Sequence, residues 1–277
     1  MINSRIIAVI YVIDNKVVLS RKFSNYSFVG SIDIVISYMN KWEVDEIILL
    51  DIKNSINKND DLLNILKKIS KLCQTPLSVG GGIRSLKQIS KIINSGVEKV
   101  VLNSNIYNNY DLIKNASKEF GSQAINCCID YKKNGSKYDL YSHSGKIKQK
   151  INATEHIKQI YDHGAGEMMF NSVDRDGTGM GYDLNFYNNY KNIIKLPFIY
   201  TGGFGNLDHI INSIKRGIIS FGIGNSFNYI EHCPVVYRNE LIKKIKTSFI
   251  RRNININYNK FSIDKFSRLG KLDDSLL

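Results

Sequence analysis

Carboxylates at the ends of apolar runs are the first residues in this chain that could do chemistry. Asp51 closes EIILLD, Asp130 closes AINCCID, and Asp174 and Asp176 share the segment DRDGTG. A carboxyl group where an apolar strand meets solvent can work as general acid or base once burial raises its pKa. The same positions suit capping, in which the carboxylate accepts backbone N–H groups of the next loop or helix. Asp51 and Asp174 fit either role equally, whereas Asp130, at the end of so apolar a run, points to function. DRDGTG lacks the full calcium-loop pattern, and no His stands at metal-ligand spacing from a cysteine, so neither a metal nor a cofactor is expected.

Two glycine-rich turns are the next candidates. VGGGIRS (79–85) and TGGFGNL (201–207) each set glycines between an apolar run and an amphipathic one. Glycine lets the backbone approach an anion closely, and the start of a helix supplies unpaired N–H donors. Gly81 and Gly82, with Asn103 and Ser104, make one candidate phosphate cradle. Gly202 and Gly203, with Gly177, Gly224 and Asn225, make the other. One such turn is weak evidence, but two in symmetric positions suggest a ligand with phosphate at both ends.

Four charged residues open apolar runs with alternating sign: Arg5, Glu46, Lys99 and Glu167. If strand starts converge, they form a ring of ion pairs. Such a ring reads first as stability, and it also permits a polar opening. Cys73, Cys127, Cys128 and Cys233 form no CxxC pair and read as small buried hydrophobes, Cys127 and Cys128 pointing to opposite faces of a strand. His143, His156, His163, His209 and His232 make no nucleophile–base arrangement and read as solvated or satisfied; His143 sits in KYDLYSHSGKIK, a hairpin or flap after the fifth strand.

Positioning these groups requires a frame, and the chain spells one out. Strands are expected at 6–13, 46–52, 76–82, 99–104, 124–130, 167–173, 197–203 and 220–226, with amphipathic helices at 61–73, 85–96, 111–121, 153–164 and 207–217. Alternation of this kind implies a parallel sheet with helical crossovers. Eight units match a closed (β/α)8 TIM barrel, with a doubly wound open sheet as runner-up. An internal repeat favours the barrel. Glu46 and Glu167, Gly81 and Gly202, and Gly96 and Gly217 are each 121 residues apart, so two fused half-barrels are expected.

The 277 residues allow a single barrel domain over 1–250, followed by a basic, Asn-rich tail over 251–277. Hydrophobic residues make up 43% and charged residues 23%, which excludes a disordered chain. No apolar run is long enough for a membrane span, and the N-terminal segment lacks the features of a signal peptide, so a cytoplasmic protein without a membrane partner is expected. The net charge of +13 suits a phosphorylated small molecule or an acidic protein, or reflects Lys-rich composition; without an RNA-binding signature, no nucleic-acid partner is expected.

With VGGGIRS, FGSQ (120–123), GAGEMMFNSVDRDGTGMGYD (164–183) and TGGFGN in view, the chain resembles the cyclase subunit of imidazole glycerol phosphate synthase (HisF-like) from Arg5 to Phe227. The resemblance implies a half-barrel-duplicated fold and a bis-phosphorylated substrate on the two cradles. It also implies a glutaminase subunit (HisH-like) docked at the barrel bottom, and makes Arg5, Glu46, Lys99 and Glu167 an ammonia gate. A sealed passage makes sense because ammonia would be protonated in water.

Two departures follow. The family works with aspartates ending strands one and five. Asp130 matches the second, but Tyr11 stands at the first, and a phenol with a pKa near 10 is a poor base. Leu19 stands in place of a substrate-contacting lysine. KFSNYSFVGS (22–31) and GNSFNYIEHCPVVY (224–237) are instead similar to the cyclase-like subunits of surface-polysaccharide clusters, the WbuZ type. That likeness implies a barrel, its cyclase activity weakened by Tyr11, that passes ammonia from the glutaminase to a sugar amidotransferase making an acetamidino group. The alternatives are a genuine cyclase-lyase of histidine biosynthesis, using Asp130 alone or with Asp176, and a non-catalytic phosphate-binding barrel.

Overall fold

Eight runs rich in Ile, Val and Leu close into a parallel barrel in the computed structural model of the chain, which describes residues 4–53 and 60–245. Its staves are β1 (Arg5–Ile13), β4 (Glu46–Asp51), β5 (Leu77–Gly80), β6 (Lys99–Leu102), β7 (Ile125–Asn134), β10 (Glu167–Ser172), β11 (Phe198–Thr201) and β12 (Ser220–Ile223). Each pairs in parallel with its neighbour, and β12 returns to β1 through Arg5↔Ser220 and Ala8↔Ile223, which excludes the open sheet. All eight expected strands are present.

The period of two along a strand separates two cores. On β1, Ile7, Val9 and Tyr11 point into the barrel, where they meet Ile48, Val101, Cys128, Met169 and Ile199. Ile6, Ala8, Ile10 and Val12 point outward against the helices. Cys127 and Cys128 divide between these cores as expected. The outer layer consists of α1 (Ile32–Lys41), α2 (Asp60–Leu72), α3 (Leu86–Ile93), α4 (Asp111–Phe120), α5 (Ala153–Asp162), α6 (Leu184–Tyr190), α7 (Leu207–Ile214) and α8 (Cys233–Ile245). Capping boxes start α3 at Ser85 and α7 at Asn206, positions 121 residues apart, so the repeat extends to the way the two helices begin. From α8, the buried Arg238 reaches 2.9 Å to Asp45, whose carboxylate also accepts the Ile6 N–H at 2.7 Å.

Two hairpins project from the strand C-termini. β2 (Lys16–Arg21) and β3 (Asn25–Ser31) extend β1 antiparallel. β8 (Lys137–Ser142) and β9 (Ile147–Lys148) extend β7 and form the expected flap around His143. The tail over 251–277 lies outside the described residues. Among the described residues no helix is long and apolar enough to cross a membrane.

Candidate functional site

At the bottom of the barrel the four strand-opening charges do converge. Arg5 gives Nη1 to Glu46 Oε2 at 3.2 Å and Nη2 to Glu167 Oε1 at 2.5 Å. Lys99 Nζ lies 3.1 Å from Glu46 and 2.9 Å from Glu167, which closes the ring. Three further groups complete it: Ser78 Oγ donates to Glu46 at 2.7 Å, Asn126 Nδ2 to Glu167 at 3.1 Å, and Arg5 Nε to Ser220 Oγ at 3.0 Å. The two carboxylates are buried, while Arg5 and Lys99 keep 25% and 21% of their side-chain surface exposed. Sequence reasoning missed Asn126 and Ser220, although a signal was there: they lie 121 residues after Arg5 and Lys99.

At the opposite end, Asp130 is buried, and its oxygens accept Asn171 Nδ2 at 2.7 Å and Asn103 Nδ2 at 2.9 Å. Burial raises its pKa, against the pull of those two amides. The amide oxygens of Asn103 and Asn171 have no hydrogen-bond partner among the described residues, and both side chains line the mouth. Asp130 therefore sits in a partly satisfied polar cluster able to take hydrogen-bond donors from a ligand.

Tyr11 is buried beside Asp176, donating its hydroxyl to Oδ1 at 3.3 Å, with its ring edge-on to Phe23 at 5.0 Å. Burial first, and then the Asp176 charge, pushes the phenol well above its usual pKa. It is neutral at physiological pH and cannot replace a carboxylate base. Burial also pushes Asp176 up to about 6, although the Ser20 hydroxyl (2.6 Å), the Phe23 N–H and Tyr11 all favour its charged form.

The other two mouth acids take backbone donors. Asp51 accepts the Lys53 N–H at 3.0 Å and lines the mouth, while Asp174 accepts the Lys133 N–H at 2.8 Å and ties its loop to β7. Of the histidines, His143 lines the mouth; His156 is fully buried, stacked on Tyr107 at 4.2 Å and bonded through Nδ1 to the Tyr110 hydroxyl at 2.5 Å, with Nε2 unpartnered among the described residues.

The two glycine turns differ in surroundings. Gly81, Gly82, Asn103 and Ser104 border a cleft of about 860 Å³, shared with Asp130, Lys53, Arg84 and Lys146. Gly81 has φ +119°, and a Cβ there would lie 2.2 Å from the Asp51 carbonyl oxygen, so only glycine fits. Gly177, Gly202, Gly203, Gly224 and Asn225 border a space of only about 20 Å³. The cause is the β2–β3 hairpin. The Ser20 carbonyl accepts Asn225 Nδ2 at 2.8 Å, the Ser20 N–H lies 3.3 Å from Asn225 Oδ1, and the Lys22 N–H donates to the Asp176 carbonyl at 2.9 Å. Leu19 lies on the same strand, β2. Nothing local in the sequence marked Ser20 or Phe23 as site residues, because their contacts are made across the barrel.

A family model described as "Histidine biosynthesis protein" matches residues 5–232. The chain is 32% identical over 269 residues to the putative imidazole glycerol phosphate synthase subunit hisF2 of Vibrio vulnificus (strain YJ016), a match covering 97% of this chain and 98% of that one. It is 38% identical over 216 residues to the imidazole glycerol phosphate synthase subunit HisF of Sulfolobus acidocaldarius, covering 78% of this chain and 86% of the other. A putative hisF3 subunit of Vibrio vulnificus is 35% identical over 218 residues, covering 78% and 84%.

Proposed function

The chain belongs to the histidine biosynthesis protein family, in its HisF-like branch of imidazole glycerol phosphate synthase subunits, and from that premise we propose that it relays ammonia within a glutamine-dependent amidotransferase system. In this reading a glutaminase docks under the ring of Arg5, Glu46, Lys99 and Glu167. Ammonia passes the ring and the apolar interior, and a sugar amidotransferase takes it up at the mouth for surface-polysaccharide synthesis. The observation that carries the reading is a complete charged ring beneath a mouth in which the neutral Tyr11 stands where the family has an acid.

The physical steps are few. Lys99 and Arg5 each bridge both carboxylates, so the ring is closed in this conformation and opens when a cation swings away. Above it stand Ile7, Val9, Ile48, Val101, Met169 and Ile199, an apolar interior that disfavours ammonium far more than neutral ammonia. These side chains fill the barrel, so ammonia advances by displacing them transiently. At the mouth, Asp130, Asn103 and Asn171 offer polar contacts for a phosphorylated ligand anchored at Gly81, Gly82 and Ser104.

The test supplies purified protein with ammonia and the histidine-pathway nucleotide. No cyclase turnover is expected, and robust turnover overturns the reading. One observation favours a second reading, a true cyclase-lyase: Asp176, with its pKa raised to about 6, lies against Tyr11 and could share acid–base work with Asp130. There, Asp176→Asn abolishes turnover, whereas the relay is indifferent to its charge.

A further inference from the structure

The 121-residue repeat extends into the mouth, and there it becomes unequal. Lys22 and Phe23 have φ of +56° and +51°, and 121 residues later His143 and Ser144 have +52° and +56°. The two hairpin tips are therefore equivalent, as are the residues they meet, Asn225 and Ser104. Each hairpin leaves its own half and leans on the cradle of the other. His143 N–H donates to Ser104 Oγ at 3.0 Å, and Ser144 Oγ to the Ile52 carbonyl at 3.2 Å. That flap leaves the first cradle open to the large cleft.

The β2–β3 hairpin does not leave the second cradle open. The Ser20 carbonyl oxygen is so close to Gly177 that a Cβ on that glycine would lie 1.9 Å from it. It takes the Asn225 amide donor that would otherwise face an anion, and it presents a partial negative charge. The remaining 20 Å³ holds about one water molecule. The closure has several anchors: Ser20 Oγ on Asp176 at 2.6 Å, Lys22 N–H on the Asp176 carbonyl at 2.9 Å, and the buried Phe23 ring on Tyr11. On the open side, Arg84 and Lys146 line the cleft, and no ion pair among the described residues engages either. The buried Asn171 keeps its amide oxygen there without a hydrogen-bond partner among the described residues.

We propose that the mouth takes a ligand with a single phosphate-bearing end, a phosphorylated polyhydroxy compound held at Gly81, Gly82 and Ser104, and that the chain's own hairpin substitutes for a second phosphate at Gly177 and Asn225. Ligand hydroxyls complete the hydrogen bonding of Asn171 and Asp130. The inference rests on reading the mouth as a phosphate site, and it departs from the bis-phosphorylated substrate that the family resemblance implies.

Fructose 6-phosphate and fructose 1,6-bisphosphate differ only in the second phosphate and serve as probes by titration calorimetry in ~0.15 M salt, where non-specific charge attraction is screened. The expected result is that the whole chain binds both within about threefold, and that Ser104→Asp weakens both by about tenfold or more. The double variant S20A/F23G removes two anchors of the hairpin, the Ser20 hydroxyl on Asp176 and the Phe23 ring on Tyr11, and is expected to shift the bisphosphate-to-monophosphate affinity ratio about tenfold toward the bisphosphate. If the unaltered protein prefers the bisphosphate by about tenfold or more, the single-phosphate inference fails while the phosphate site stands. If neither probe binds, both fail.

Discussion

The Tyr11 hydroxyl spends its one proton on Asp176, and that pair sets the electrostatics of the closed half of the mouth. Asp176 holds its proton more tightly in the folded chain than in the unfolded one, up to about pH 6. It therefore stabilises the fold fully below its ordinary pKa, and this contribution is lost as pH rises through about 6. Relative to Asp176→Asn, the unaltered protein is expected to lose ~2–3 kcal/mol between pH 4 and 6.5, measured by urea unfolding at a series of pH values. Tyr11→Phe removes one buried donor and is expected to cost about 1 kcal/mol in the same assay. Residues of this kind differ in how far the sequence reveals them. Asp130 and the ring charges are legible because a strand end fixes where a side chain must go. Ser20 is not, because its partner Asn225 is 205 residues away and only the closed fold brings them together.

The ring at the barrel bottom joins β1, β4, β6 and β10, so a change in one strand is felt in the others. Lys99→Met leaves Glu46 and Glu167 with one fewer cation and is expected to cost ~2–4 kcal/mol in chemical denaturation. This is less than for a fully buried pair because Lys99 is partly exposed. The same variant, and Glu46→Gln, are expected to lower glutamine-driven transfer while leaving glutaminase activity intact; unchanged transfer would remove the gate from the relay. The two hairpins should differ in hydrogen exchange. The amides of Ser20 and Lys22, bonded across the barrel, are expected to be protected well beyond those of Ile147 and Lys148 on the exposed β9, and mass spectrometry of peptides resolves this. The barrel strands and five helices are read from periodicity, and α1 carries the same signal in Ile32, Val35, Ile36 and Met39, buried at helical spacing, but α6 and α8 do not. In α8, Val235, Val236, Tyr237 and Arg238 are all buried in succession, so no amphipathic stripe appears. In α6, LNFYNNY is rich in residues of poor helix propensity, and tertiary packing around Phe186 decides its form.

The whole molecule is two similar halves joined along two seams, β6 with β7 and β12 with β1. Each half leaves two unpaired barrel edges when alone, and unpaired edges drive association. Chains cut at Gly121, between α4 and β7, are therefore expected to aggregate or self-associate singly and to restore the native circular dichroism spectrum when refolded together. Failure to recombine would mean that the seams alone do not specify the barrel. The crossing of the hairpins adds a consequence for descent. Because the cover of either glycine turn is written in the opposite copy of the ancestral unit, with Ser20 lying 205 residues from Asn225 and His143 39 residues from Ser104, drift in one short ribbon can close a turn whose own glycines stay intact. Here intact TGGFGN glycines coexist with a blocked turn, so a glycine signature alone overstates what such a duplicated chain can hold.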